Sequence, residues 1–170
     1  ADWRWQIRNA ITSVSSLARE IPLTPNERAG AELAERQGLP IGITPYYLSL
    51  VDRADPNCAI RKQCVPVANE GEFLPGDLAD PLGEEAHEVA PHLVQRYQDR
   101  ALLLVTDRCA VYCRFCTRSR MVGDGGGPVS DAKLAPALAY LRSHPEVRDV
   151  IVSGGDPFAL ATDRLVRIVA

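Results

Sequence analysis

The sequence predicts an α/β fold built on a parallel sheet. Residues 101–106 form a near-continuous apolar run, as expected for a strand that is buried on both faces. Residues 147–152 form the next predicted strand, and an amphipathic helix that begins after Ser130 and carries Leu134 and Leu138 on one side separates the two. A strand–helix–strand series requires right-handed crossovers, and therefore a parallel pair of strands.

A last helix is expected after residue 160, with Thr162 as its cap. It reaches the final residue without a glycine or proline stop signal, so we expect the protein to continue beyond it. The chain of 170 residues is long enough for one domain.

The first third of the chain reads as helical and irregular. Thr24 and Glu27 form a capping box with Pro25 at the first helical position, which predicts a helix that Gly38 ends. Residues 52–91 are rich in Pro, Gly, Asp and Glu, and we expect extended or loop structure there. The predicted organisation is a helical and irregular region over residues 1–95 and the start of an α/β domain over residues 96–170.

The composition excludes several classes of protein. Hydrophobic residues make up 46% and charged residues 24%, which is ordinary for a globular protein. The net charge of −3 offers no electrostatic footprint for nucleic acid or an anionic membrane, and no segment approaches the ~20 apolar residues that span a bilayer. Three of the five cysteines lie in one motif, which favours a reducing cytoplasm over a disulfide scaffold. Cys58 and Cys64 are expected to be small buried apolar residues.

The cysteine loop is the most specific motif. Cys109, Cys113 and Cys116 follow the first predicted strand at spacings of four and three residues. Iron–sulfur clusters are held by Cys thiolates, normally four for a four-iron cluster, so three ligands would leave one iron open to a small molecule. The alternative is a zinc site, which needs a fourth Cys or His; the next histidine is His144.

A glycine pair, Gly154 and Gly155, followed by Asp156, ends the second predicted strand. Without Cβ atoms the backbone can approach a ligand closely, although a plain strand-to-helix turn would also use glycine. Sheets of this class place their sites beyond the carboxyl ends of the strands, so we expect this loop and the cysteine loop to face the same side.

Two groups of arginines are candidates for anion binding. Arg118 follows the cysteine loop, and its guanidinium fork suits bidentate capture of a carboxylate. Arg96, Tyr97 and Arg100 precede the first predicted strand and suit a phosphate, or form a surface cluster.

Several stretches together resemble one family, the lysine 2,3-aminomutases, which are radical S-adenosylmethionine (SAM) enzymes that also use pyridoxal phosphate (PLP). The cysteine spacing, with Phe115 just before the third Cys, resembles the radical SAM superfamily as a whole. The matching stretches run nearly end to end and include residues 2–6, 43–47, 96–100, 109–118 and 153–156. The combination of the cysteine spacing with Arg96, Tyr97, Arg100 and residues 116–118 is what resembles the aminomutases specifically.

The resemblance implies a fold and a set of roles. The fold would be a partial (β/α)6 radical SAM barrel, truncated after about two βα units, with an N-terminal helical region. A [4Fe–4S] cluster would be held by Cys109, Cys113 and Cys116; SAM by Gly154, Gly155 and Asp156; the PLP phosphate by Arg96, Tyr97 and Arg100; and the substrate carboxylate by Arg118.

The implied reaction moves the α-amino group of an amino acid to the β-carbon through a 5′-deoxyadenosyl radical, with L-lysine to β-lysine as the first choice. Glutamate and arginine 2,3-aminomutases fit as well, because the family's substrate-selecting residues and PLP lysine lie beyond residue 170. The implied partners are an amino acid substrate, an electron donor such as flavodoxin or ferredoxin, and further copies of the full-length chain in a homo-oligomer. A non-catalytic zinc-binding module and a PLP-independent radical SAM enzyme are the competing interpretations.

Overall fold

The computed structural model describes residues 2–72, 74–123, 125 and 127–170, which form two compact units. The helical unit comprises Ala1–Leu78 and Cys109–Gly123, and the sheet unit comprises Ala79–Arg108 and Asp124–Ala170. The units do not coincide with the predicted segments 1–95 and 96–170, because the cysteine loop belongs to the helical unit. That residues 1–95 and 96–170 form separate domains stays a prediction.

The helical unit begins with short helices whose ends are set by local hydrogen bonds. The predicted capping box is present: the Thr24 hydroxyl accepts the backbone N–H of Glu27 at 3.2 Å, and the Glu27 carboxylate accepts that of Thr24 at 2.8 Å. Gly38 follows with a φ of +75°, a conformation that glycine adopts without steric cost. The helices are α1 (Trp3–Arg8), α2 (Val14–Glu20), α3 (Pro25–Arg36), α4 (Pro45–Ser49) and α5 (Ala59–Cys64), followed by a 3-10 turn at Ala68–Gly71.

A buried ion pair joins these helices beside their apolar core. Arg61 on α5 donates to the Glu27 carboxylate on α3 at 2.7 and 2.8 Å and to the carbonyl of Pro22 at 2.7 Å. The Arg61 side chain is only 1% exposed. The expectation of loop structure over residues 52–91 was therefore wrong in part, because α5 lies within it. The apolar core contains Val14, Leu17, Ile21, Ala31, Ala34, Ile41, Ile43, Leu48, Val51 and Val65.

The sheet unit holds a four-stranded sheet in the order β1-β2-β3-β4. As predicted, β3 and β4 are parallel, with Leu102 opposite Ile151. The antiparallel strands β1 and β2 were not predicted from the sequence. Strand β2 joins β3 through a tight turn at which Tyr97 pairs with Arg100. The elements are β1 (Glu88–Ala90), β2 (Leu93–Tyr97), β3 (Arg100–Thr106), α6 (Asp131–Ser143), β4 (Asp149–Gly154) and α7 (Thr162–Val169).

One face of this open sheet carries the core of the unit. Leu103 and Val105 of β3 pack with Leu134 and Ala137 of α6, and all four residues are buried. The fold is thus mixed α/β with two strand–helix units, β3–α6 and β4–α7. Helix α7 begins at Thr162 itself with no side-chain cap, so the prediction of a Thr162 cap was wrong by one residue.

Among the residues that the structure describes, no helix combines the length and the apolar character needed to cross a bilayer.

Candidate active site

The cysteine loop is fixed to the helical unit from its first residues. Val111 forms an antiparallel bridge with Ile43, and the backbone N–H of Tyr112 donates to the carbonyl of Gly42 at 2.8 Å. A Cβ on Gly42 would lie 2.5 Å from the Tyr112 ring, so only glycine allows this approach without a shift of the ring. The segment before α4 therefore serves as a platform for the loop.

Arg114, between the second and third cysteines, anchors the middle of the loop. Its backbone N–H donates to the carbonyl of Gln63 at 2.8 Å. Its guanidinium donates to the Glu70 carboxylate at 2.6 Å and to the carbonyls of Leu39 and Pro40 at 2.9 Å each. Arg114 was not predicted from the sequence to be a functional residue. Its place between two predicted ligands was the available signal.

Cys109, Cys113 and Cys116 form no disulfide, and all three are half-buried. The backbone N–H of Cys116 donates to the Cys113 carbonyl at 3.1 Å, so these two residues share one tight turn. Burial, and then the neighbouring Cys116, raise the pKa of Cys113 above its ordinary value. Within the described residues, no group of three or more Cys, His, Asp or Glu side chains lies close enough together to hold a metal ion.

The donor set nevertheless fits an iron–sulfur cluster in its chemistry. Cys109, Cys113 and Cys116 lie on one eight-residue segment, and none of them forms a disulfide. Soft thiolate ligands are what such clusters require. A closed zinc site would need a fourth nitrogen or sulfur ligand, and the next histidine along the sequence is His144.

Tyr47, a half-buried tyrosine, lies close to Cys113 in the same unit. The Tyr47 hydroxyl donates to the side-chain oxygen of Gln63 at 2.9 Å. Burial raises the pKa of Tyr47, and the nearby thiols of Cys64 and Cys113 add to this rise. Gln63 thus connects the cysteine loop to α4, because its carbonyl accepts a hydrogen bond from Arg114 and its side chain accepts one from Tyr47.

The glycine pair lies at the end of β4 in the sheet unit. Two backbone N–H groups of this loop donate to the segment at the end of β3. That of Gly155 donates to the Thr106 carbonyl at 2.6 Å, and that of Asp156 donates to the Arg108 carbonyl at 2.8 Å. Gly154 has a φ of +125°, and a Cβ there would lie 2.2 Å from the Thr106 oxygen. The glycines are therefore already required by the close approach of the two chain segments, whatever ligand binds at this loop.

Asp156 also acts locally, because its carboxylate accepts the backbone N–H of Phe158 at 2.9 Å and caps the 3-10 turn Pro157–Ala159. The role predicted for Gly154, Gly155 and Asp156 in SAM binding stays a prediction.

The structure brings the predicted phosphate ligands together. Arg96, Tyr97 and Arg100 line one cavity of about 240 Å³. The Arg100 guanidinium lies 5.7 Å from the centre of the Tyr97 ring and forms a two-point ion pair with Asp99 at 2.9 and 3.0 Å. Apolar side chains complete the cavity wall, among them Leu82, Val94, Leu102 and Ile151.

The phosphate and SAM candidates of the sheet unit lie at opposite ends of one strand. Arg100 is the first residue of β3, whereas Thr106, its last, pairs with Gly154. Seven residues of strand span about 20 Å. The general rule that sites lie at the carboxyl ends of parallel strands therefore applies to the glycine loop, but not to Arg96, Tyr97 and Arg100.

The remaining candidates lie in the helical unit. Arg118 continues the cysteine loop, and its carbonyl accepts the backbone N–H groups of Met121 and Val122 at 3.0 Å. Cys64 is fully buried, as predicted, and burial raises its pKa to about 11. Cys58 is half-buried, less than predicted, and its sulfur accepts the backbone N–H of Asp52 at 3.4 Å.

Comparison with known proteins finds extensive similarity to aminomutases. The chain is 45% identical over 169 residues to the L-lysine 2,3-aminomutase of Clostridium subterminale, covering 99% of this chain and 40% of that protein. It is 44% identical over 164 residues to that of Acetoanaerobium sticklandii, covering 96% of this chain and 39% of the relative. The glutamate 2,3-aminomutase of Clostridioides difficile is 38% identical over 174 residues, with 99% of this chain and 40% of the relative covered. No family model matches the chain.

The similarity runs across nearly the whole chain, including the segments that carry the cysteine loop, the arginine–tyrosine set and the glycine pair. The chain spans about two fifths of the length of these curated relatives. The chain is therefore similar to the lysine 2,3-aminomutase family over nearly all of its own length and over about two fifths of theirs.

Proposed function

We propose that the protein containing this chain is a radical SAM, PLP-dependent amino acid 2,3-aminomutase that converts an L-α-amino acid, with L-lysine as the first choice, into the β-amino acid. The observation that carries the proposal is the similarity to L-lysine 2,3-aminomutases along 99% of the chain at 45% identity. The three cysteines outside disulfides and the arginine-lined cavity are consistent with the cofactors that this reaction requires.

Cys109, Cys113 and Cys116 would hold the [4Fe–4S] cluster, which supplies the electron for the cleavage of SAM. The protein's part is to present three thiolates on one loop and to restrict solvent around them. Half-burial of the three sulfurs and the platform formed by Gly42 and Ile43 serve that purpose. The glycine loop at residues 154–156 would contact SAM with its carbonyl groups or side chain, because the N–H groups of Gly155 and Asp156 already donate within the chain.

PLP would enter the sheet unit with its phosphate in the cavity lined by Arg96, Tyr97 and Arg100. Two guanidinium groups and a phenol can donate several charge-assisted hydrogen bonds to a phosphate dianion. The apolar wall of Leu102 and Ile151 offers a surface for an aromatic ring. Arg118 would hold the substrate carboxylate through its guanidinium fork.

Glutamate 2,3-aminomutase activity is the second candidate, since one of the relatives carries that name at 38% identity. The two activities differ in the charge of the substrate side chain, so the residue that reads it decides between them. We further propose a cytoplasmic enzyme with a flavodoxin- or ferredoxin-like electron donor, because a low-potential cluster and cysteines outside disulfides need a reducing environment. The full-length enzyme is proposed to be a homo-oligomer.

The test is product analysis with the full-length polypeptide. Anaerobically reconstituted protein is supplied with SAM, PLP, dithionite and one amino acid at a time, and β-amino acids are separated by chromatography. Formation of β-lysine from L-lysine supports the proposal in its first form, and β-glutamate supports the second candidate. Protein that is fully loaded with cluster and PLP but isomerises none of L-lysine, L-glutamate and L-arginine contradicts the assignment.

A further inference from the structure

We infer that Arg114 is a positioning residue that fixes the turn between Cys113 and Cys116 on the helical unit, through Glu70 and the carbonyls of Leu39, Pro40 and Gln63. The role of Arg114 in holding the cluster rests on the function proposed above. The anchoring itself is a property of the chain and can be measured without any cofactor.

All three nitrogens of the Arg114 guanidinium donate hydrogen bonds. Its Nε lies 3.0 and 3.2 Å from the two Glu70 oxygens, and one terminal nitrogen lies 2.6 Å from the nearer of them. The other terminal nitrogen donates to the Pro40 carbonyl at 2.9 Å. The side chain is 7% exposed, against 26% for that of Glu70. Charge-assisted pairs of this two-point geometry are the strong ones, and here the Arg114 side chain is shielded from water whereas Glu70 lies at the surface.

The same residue is held by its main chain. The N–H of Arg114 donates to Gln63, the residue before Cys64 at the end of α5. Arg114 comes directly after Cys113 and two residues before Cys116, so a displacement of Arg114 displaces both thiols. Three separate stretches of the helical unit, at residues 39–40, 63 and 70, thereby set where these two ligands lie.

Lysine cannot reproduce this arrangement. A guanidinium presents five N–H donors in a rigid plane, which here serve a carboxylate and two carbonyls at once, whereas an ammonium donates from a single nitrogen. The anchor is therefore specific to arginine and not merely to positive charge.

The alternative is that Arg114 supports the helical unit as a whole, in the way that the buried Arg61–Glu27 pair does. Cys64 distinguishes the two roles, because it lies in the same unit and is fully buried. Loosening of the turn exposes Cys113 and Cys116 alone, whereas unfolding of the unit exposes Cys64 as well.

The experiment measures the alkylation rate of each cysteine by mass spectrometry in the cofactor-free, full-length polypeptide at fixed pH. The variants are Arg114→Gln, Arg114→Lys and Glu70→Gln, and the control is Arg36→Gln, which removes a positive charge from an exposed position in the same unit. In all three variants we expect Cys113 and Cys116 to react about tenfold faster, with Cys64 and the control unchanged. Wild-type rates in Arg114→Gln and Glu70→Gln, or a parallel rise at Cys64, would overturn the inference.

Iron and sulfide content after anaerobic reconstitution gives the second readout. We expect all three variants to retain less cluster than the Arg36→Gln control. If the wild-type protein takes up no cluster while the alkylation pattern is as expected, the proposed function fails and the positioning role stands. If the wild-type protein takes up cluster and the variants match it in both readouts, the positioning role fails and the proposed function stands.

Discussion

The backbone N–H of Gly155 donates to the carbonyl of Thr106 over 2.6 Å, which joins the end of β4 to the end of β3. At this distance the two chain segments leave no room for a side chain, and a Cβ on Gly155 would lie 2.4 Å from the Arg108 carbonyl oxygen. The glycine pair is therefore a structural requirement of the parallel pair of strands as well as a candidate ligand loop.

The Gly155→Ala variant should be destabilised by about 1–3 kcal/mol, because the added methyl group meets a backbone oxygen that cannot move without disrupting the strand end. The measurement is urea-induced unfolding followed by circular dichroism. Gly83→Ala is the contrasting control: Gly83 has a positive φ of +64°, which Gly155 does not, and nothing lies within 4 Å of the added Cβ. A stability of Gly155→Ala equal to that of the wild type would contradict a close approach that excludes a side chain at residue 155.

The Glu27→Ala variant should be destabilised by about 3–5 kcal/mol, because it leaves the Arg61 guanidinium buried and without its carboxylate. The Glu32→Ala variant, at an exposed position on the same helix, serves as the control and should lie within about 0.5 kcal/mol of the wild type. Unfolding curves in urea at pH 7 measure both values. A loss in Glu27→Ala no larger than that in Glu32→Ala would contradict the role of the pair.

The same ion pair predicts a pH dependence. Burial acts to raise the pKa of Glu27, but hydrogen bonds from Arg61 and Thr24 outweigh it and hold the pKa below its ordinary value of 4.5. A carboxyl whose pKa is lowered by folding contributes its full stability above the pKa of the unfolded chain, and this contribution is lost as the pH falls through the folded pKa. Wild-type stability should therefore fall more steeply below about pH 4.5 than that of Glu27→Gln; parallel curves in urea titrations at several pH values would contradict this.

The Asp99→Asn variant should bind PLP more tightly, by about fivefold, because the Asp99 carboxylate occupies the Arg100 guanidinium and repels an incoming phosphate. Arg100 holds the pKa of Asp99 below its ordinary value, so the carboxylate is charged at neutral pH. Absorbance titration of the full-length polypeptide with PLP measures the affinity. Asp163→Asn, an exposed position in the same unit, is the charge-matched control, and weaker binding by Asp99→Asn than by this control would argue against a phosphate at Arg100.

Local signals made part of this fold predictable. The capping box at Thr24 and Glu27, the Ser130 cap and the apolar run of β3 depend on residues at most a few positions apart, and the structure confirms all three. Strands β1 and β2 were missed because their residues acquire strand structure only by pairing, β1 with β2 and β2 with β3. Helix α5 was missed because Cys58 at its N-cap makes no side-chain capping bond.

The candidate site was predictable only where its residues are neighbours in sequence. The cysteine spacing and the set Arg96, Tyr97 and Arg100 could be read directly, and the structure places the latter three around one cavity. Arg114 could not be identified as an anchor, because its partners Glu70, Pro40 and Leu39 are 44, 74 and 75 residues away in the chain. No periodicity or spacing rule reports a contact of that range.

The central claim is that Cys109, Cys113 and Cys116 hold a cluster with one iron open to SAM. EPR spectroscopy of the anaerobically reconstituted, dithionite-reduced full-length protein, with and without SAM, tests it most directly. The account predicts a [4Fe–4S]⁺ signal that changes when SAM is added and that disappears when any of the three cysteines is replaced by alanine. Well-folded protein that shows no such signal and binds zinc instead would contradict it.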